Sequence, residues 1–211
     1  MIRAIVFVDG SNWYHGCAAL GLGNIGRLDF ARVSRKLARH RRWTATRYYV
    51  GEVPQTGTAE LAAKQQRFLR FLRSCDPRIS VHLGRLEPRE HRNEAADALT
   101  RYLTNLSVRI PPAVYHDLLE LARSHIVSRF MVEKAVDVQL AVDMVVMAER
   151  DEYDVAYLLS ADGDLAPAVE AVRATGRRVF ASSPASGARL ASASSSYLRL
   201  QKAWFADVFA P

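Results

Sequence analysis

Cysteine is scarce in this chain: Cys17 and Cys75 are the only two in 211 residues. Neither has CxxC spacing or histidines at ligand spacing, so both read as reduced core thiols rather than as a disulfide framework or a zinc site. Long apolar runs are missing too, since nothing approaches the roughly 18 residues of a membrane span. The opening MIRAIVFVDG has too short an apolar stretch for a signal peptide. These absences predict a cytoplasmic protein with no membrane partner. No GxSxG, HExxH or Walker sequence occurs, and the six histidines are scattered, which removes the usual serine-hydrolase, zinc-protease and P-loop readings. The glycine-rich GLGNIGRL (21–28) does not directly follow a strand and lacks GxxxxGK[ST]; it reads as a plain loop.

The composition that remains is globular. With 49% hydrophobic residues, 11 Gly and 8 Pro, one domain over 1–211 is expected. Lysine is also scarce, 4 against 25 arginines, within a net charge of +7. The charge is unevenly placed. Segment 131–170 holds ten carboxylates against Lys134 and Arg150, a net −8, so the rest of the chain carries +15. An acidic centre in a basic body suits a metal-dependent enzyme acting on a polyanion. The competing account is that abundant arginine is only a habit of composition.

Two continuous apolar runs, IVFV (5–8) and VAYLL (155–159), read as buried parallel strands. Each is followed at once by acids, Asp9 in FVDGSN and Asp162 and Asp164 in SADGDLAP. Loops at the carboxyl ends of neighbouring parallel strands share one crevice, so these acids are expected to meet. Clustered carboxylates repel unless a hard cation lies between them. Ser11 and Asn12 would hydrogen-bond a phosphate oxygen or orient a carboxylate, and Ser160 repeats the device at the second strand. The alternative for Asp9, Asp162 and Asp164 is ordinary capping and turn formation.

Asp137 opens the apolar helix VDVQLAVDMVVMA, where its alternative role is to complement the helix dipole. Asp143, six residues on, lies about 120° round the helix from Asp137, and so reads as supporting the site or the packing rather than as a ligand of the same ion. Lys134 stands ready for a substrate phosphate or an acid. A phosphoaspartate at Asp9 is disfavoured because DGSN lacks the second acid of DxDGT.

Other expected strands are 44–53, 78–86 and 177–182, with helices from Asp29, from Thr58 over 59–75, over 165–175 ended by Gly176, and over 188–200. Helix and strand alternation implies right-handed crossovers and a parallel sheet. Residues 87–130 break the rhythm with two helical pieces, 94–107 and 112–127, and read as a helical insertion: a lid, a homodimer interface or a partner site. The basic stretch 27–42 (Arg27, Arg32, Arg35, Lys36, Arg39, Arg41, Arg42) would attract a nucleic-acid backbone, with Trp13, Tyr14 or Trp43 available to stack bases or fill the core.

VFVDGSNWYH, EKAVDVQLAVDMVVMA, EYDVAYLLSADGDLAPAVEAVRATGRRV and the Ser/Leu-rich terminal segment together resemble the NYN domain family, the LabA-like branch of the PIN-like nucleases. The family usually reads KGVDV where this chain has Ala135. The resemblance implies an α/β fold, a three-layer α/β/α PIN-like (Rossmann-like) domain on a mainly parallel sheet of about five strands. It also implies a Mg2+- or Mn2+-dependent endoribonuclease acting on single-stranded or structured RNA, leaving 5′-phosphate and 3′-hydroxyl ends. Asp9, Asp137, Asp162 and Asp164 match its acidic site, with Asn12 beside them. A non-catalytic RNA-binding or regulatory scaffold on the same fold is the second reading.

Overall fold

Alternation along the first strand divides the molecule into layers. In β1 (Arg3–Asp9), Ala4, Val6 and Val8 enter one apolar core while Ile5 and Phe7 enter another, as a strand buried on both faces requires. The computed structural model describes residues 1–53, 59–105 and 111–210, with side chains for all of these but 86–89 and 128–134. The chain divides into two compact units, Met1–Arg85 with Lys134–Pro211, and Leu86–Glu133.

In the first unit, β1 pairs in parallel with β2 (Arg42–Glu52) on one side and β5 (Val155–Leu159) on the other. β2 continues to β3 (Ile79–Arg92), and β5 to β6 (Arg178–Ser183) and β7 (Ser196–Arg199), all parallel. The order β3-β2-β1-β5-β6-β7 makes six parallel strands where about five were expected; β4 (Val127–Lys134) falls almost wholly in the second unit. Helices α1 (Gly10–Ala19), α2 (Phe30–Ala38) and α3 (Ala59–Cys75) pack on one face through Trp13, Phe30, Val33, Leu69 and Leu72. Helices α6 (Val136–Glu149), α7 (Ala166–Ala174) and α8 (Ala188–Ala193) cover the other through Leu140, Met144, Val169, Val172 and Leu190. Helices change face where the strand order reverses, between β1 and β5, and ligands of open α/β sheets bind at that point.

Local chemistry sets the boundaries. Asp29 caps α2 by accepting from Ala31 N at 2.8 Å and Arg32 N at 3.1 Å, and Gly176 turns the chain after α7 at φ +83°; both are legible in the sequence. The expected cap Thr58 lies outside the described residues. The helix expected over 188–200 stops at Ala193. Serine side chains there bond the backbone instead, Ser195 Oγ accepting from Val179 N at 3.2 Å and Ser194 Oγ donating to Ser196 O at 3.1 Å, and the chain pairs onward as β7.

In the second unit, α4 (Glu94–Thr104) and α5 (Pro112–Ser124) pack through Leu103, Leu119 and Ala122. The stretch 87–130 is not wholly helical: β3 runs on to Arg92 and β4 begins at Val127. Asn93 caps α4 and also donates its backbone N–H to Ile126 O at 2.7 Å, tying the two strand ends together. Among the described residues, no helix is long and apolar enough to cross a membrane.

Candidate metal centre

Three carboxylates from three elements converge at the reversal point. Oxygens of Asp9, Asp137 and Asp162 all lie within 4.8 Å of one another. Ligand oxygens around an octahedral Mg2+ are roughly 3 Å apart when adjacent and 4.2 Å when opposite, from metal–oxygen distances near 2.1 Å. The oxygen-only donor set and its spacing thus fit a hard divalent cation.

Asp9 ends β1 and is buried at 2% exposure. Its Oδ1 accepts from Asn12 N at 3.0 Å, capping α1, and its Oδ2 accepts from the Ser160 hydroxyl at 2.8 Å. Capping and membership of the three-oxygen cluster, alternatives at the level of sequence, fall to one side chain. Gly10 is required behind it: a Cβ there would fall 2.5 Å from the Tyr48 ring and 2.7 Å from Tyr49 O.

Val8 and Leu159 are register partners, so Asp9 and Ser160 leave adjacent strands side by side. Ser160 is fully buried; its Oγ accepts from Asp162 N at 2.9 Å while donating to Asp9. Asn12 Oδ1 accepts from Ala161 N at 2.9 Å. Asn12 and Ser160 therefore sew the two strand-end loops together. Ser11 lies half-buried in the first turn of α1. Asp162 accepts from Asp164 N at 2.9 Å, which shapes its loop.

Asp137 sits in the first turn of α6. Though the residue is exposed, burial of its carboxyl and the negative charges of Asp162 and Asp164 hold its pKa above the ordinary value. Clustered like charges are what a hard cation placed between them would relieve.

Asp164 stands outside the three-oxygen cluster. Its side chain is 87% exposed and lies 3.7 Å from Arg189, and its charge still reaches Asp137. Asp143 also stands apart. Its Oδ2 accepts from Arg47 and from the Tyr49 hydroxyl, each at 2.7 Å. Burial pushes the Asp143 pKa up, but these two donors outweigh it and leave it low. His82 stacks on Tyr49 at 4.8 Å between ring centres, and burial and the Arg47 charge lower its pKa. The side chain of Lys134 lies outside the described residues.

The basic stretch is on the other face, with α2. Arg32 pairs with Asp29, Arg35 with Asp76 and Lys36 with Asp207. Arg27, Arg39 and Arg42 are exposed and Arg41 is half-buried. Trp13 and Trp43 are core residues, while Tyr14 is 54% exposed. Cys17 and Cys75 are free thiols. No sequence motif marks Arg47, Tyr49 or Arg189. Arg189 has its side chain across Gly163, with Cδ 3.1 Å from where a Cβ would stand, so it covers the Asp162–Asp164 loop. Nothing in ASGARLASA signals this.

A crystal structure of a protein of unknown function from Vibrio parahaemolyticus RIMD 2210633 superposes with a TM-score of 0.58 at 15% identity, covering 95% of this chain and 94% of that one. At that identity the likeness concerns the fold. No curated protein matches this sequence. The NYN domain family matches residues 3–201, nearly the whole length and all three acidic motifs. The chain belongs to the NYN domain family, within the PIN-like superfamily.

Proposed function

We propose that this NYN domain is a divalent-metal-dependent endoribonuclease that hydrolyses RNA phosphodiesters to 5′-phosphate and 3′-hydroxyl ends. The convergence of Asp9, Asp137 and Asp162 within 4.8 Å carries the reading. Asp9, Asp137 and Asp162 would hold Mg2+ or Mn2+, with Asp164 at the rim. When bound, the cation supplies Lewis-acid polarisation of the phosphate and lowers the pKa of water.

The chain's own residues do the rest. The hydrogen bonds from Asn12 and Ser160 fix the Asp9 carboxylate before substrate arrives, so no reorganisation is needed at the moment of reaction. A cation held there would offset the burial and the like charges of Asp162 and Asp164 that raise the Asp137 pKa. Arg189, 65% exposed beside Asp164, would receive a non-bridging phosphate oxygen, a charge-assisted contact. Water oxygen attacks phosphorus in line and releases a proton to solvent, the bond to O3′ breaks with its electron pair on O3′, and O3′ takes up a proton from solvent.

Purified protein should cut RNA in Mn2+, lose activity in EDTA, and lose it in Asp9→Asn and in Asp162→Asn. Metal-independent cleavage, or full activity in both variants, would sink the proposal. One observation favours a non-catalytic RNA-binding scaffold as the second reading: both Asp9 oxygens already accept hydrogen bonds within the protein. Salt-sensitive RNA binding with no cleavage under any divalent metal would establish it. Residues 87–130 we take as an insertion in a single NYN domain.

A further inference from the structure

The sheet face turned away from the three carboxylates carries an open cleft of about 290 Å³, near the lower end of small-molecule sites. Opposition of the two sites follows from strand alternation. Tyr157 packs with Val155 and Leu159 into the core under α2, whereas Ile5 and Phe7, on the parity of Asp9, enter the core under α6. Around the cleft stand Arg39 and Arg41 from the end of α2, Tyr157 of β5, Phe180 of β6, Leu198 of β7 and Trp204. Among the described residues, no carboxylate lines it.

Arg41 is pre-oriented. It donates to the Tyr157 hydroxyl at 2.5 Å, and its guanidinium carbon lies 5.2 Å from the Phe180 ring centre and 5.9 Å from that of Tyr157. Those two rings are themselves stacked at 5.5 Å and 27°. A guanidinium fixed beside aromatic rings offers, with them, a surface on which a base can stack, and its charge suits a phosphate. Burial raises the Tyr157 pKa, and Arg41 and Arg39 oppose that rise, so both cations act on the same spot. Lys36 differs: it is paired with Asp207 and lies over the Trp204 ring at 4.8 Å.

Arg39 supplies an independent observation. It ends α2 at φ +43°, ψ −102°, a conformation that side-chain-bearing residues rarely adopt and glycine tolerates. A long cation thus stands in the cleft lining at a position where glycine would relax the turn. Leu198, 51% exposed, adds an apolar wall, which a bare inorganic anion would leave wet.

We propose that this cleft is a nucleotide-binding site separate from the metal centre, with the base stacked on Arg41 against the aromatic wall and the phosphate between Arg39 and Arg41. The nucleotide is either free or one residue of an RNA strand. The full-length protein in EDTA is titrated with adenosine 5′-monophosphate, with inorganic phosphate and with a short single-stranded oligoribonucleotide, reading tryptophan fluorescence and calorimetry. The expected result is saturable binding of the mononucleotide at least ten-fold tighter than inorganic phosphate, weakened at least ten-fold by Arg41→Ala and by Arg39→Gly. If only the oligoribonucleotide binds and the same variants weaken it as much, the site takes a nucleotide within a strand.

Arg39→Gly relaxes its backbone, so lost binding there is not lost folding. Unchanged affinity for both nucleotide ligands in the two variants, absence of nucleotide binding, or phosphate binding as well as the nucleotide overturns the proposal. EDTA keeps this result independent of whether the acidic site cleaves RNA.

Discussion

Ser160 joins the two strand ends of the site: its hydroxyl donates to Asp9 at 2.8 Å while its oxygen accepts from the Asp162 backbone at 2.9 Å. Side chain and loop are set by one buried hydroxyl. Ser160→Ala should destabilise the fold by about 2 kcal/mol, the usual loss for a hydrogen bond to a buried charged group. It should also weaken Mn2+ binding, because Asp9 loses an orienting donor. Chemical denaturation and calorimetric metal titration check both.

Asp137 gives a pH dependence of definite sign. Its folded pKa lies above its ordinary 3.8, so between the two values the folded state binds more protons and stability falls as pH rises. Metal-free Asp137→Asn should therefore be more stable than the parent at neutral pH, and Mn2+ affinity of the parent should climb with pH through the raised pKa. Thermal melts in EDTA and metal titrations from acid to neutral pH test this; a less stable Asp137→Asn would contradict it.

Asp143 should separate from the site. Asp143→Ala removes the carboxylate partner of Arg47, whose side chain is 24% exposed and keeps only its bond to the Tyr49 oxygen among the described hydrogen bonds, and removes the acceptor of the Tyr49 hydroxyl. A loss of about 2 kcal/mol is expected for breaking such a partly buried pair, with metal affinity changed far less than in Asp137→Asn.

Acid should loosen the starts of the two central strands. Arg3 donates to Asp154 from backbone and side chain and holds the Asp154 pKa down at about 2. A depressed folded pKa stabilises above the unfolded value and loses that contribution as pH falls. The loss should run from about pH 3.8 to about 2, and Asp154→Asn should flatten stability over that window in acid titrations followed by circular dichroism.

Ala135 occupies a left-handed conformation, φ +69°, just before α6. Ala135→Gly, the residue the family usually has, relieves about 1–2 kcal/mol of steric cost, offset by roughly 0.5–1 kcal/mol of added freedom in the unfolded chain. A net gain of about 0.5–1 kcal/mol is expected by denaturant melting.

Much of the architecture was legible because its signals are local. IVFV and VAYLL are apolar on both faces and can only be central strands, and Asp29 and Gly176 mark helix ends through chemistry confined to a few residues. The exposed position of Asp164 was not legible, because an acid two residues along an irregular loop points wherever packing sends it, here toward Arg189. Nor was β7, whose strand identity depends on β6 alongside it.

The sequence by itself determined the alternation of strands and helices, the NYN motifs, and the placement of Asp9 and Asp162 at strand ends, since periodicity and strand-end position are written in neighbouring residues. Tertiary structure alone decided which acids share a site and which cations stand near them. Asp9, Asp137 and Asp162 meet across more than a hundred residues of chain, Asp143 is diverted to Arg47, and the basic stretch at α2 lies on the sheet face opposite α6. Those outcomes follow from strand order and from which face each helix covers, quantities that exist only once the sheet has closed.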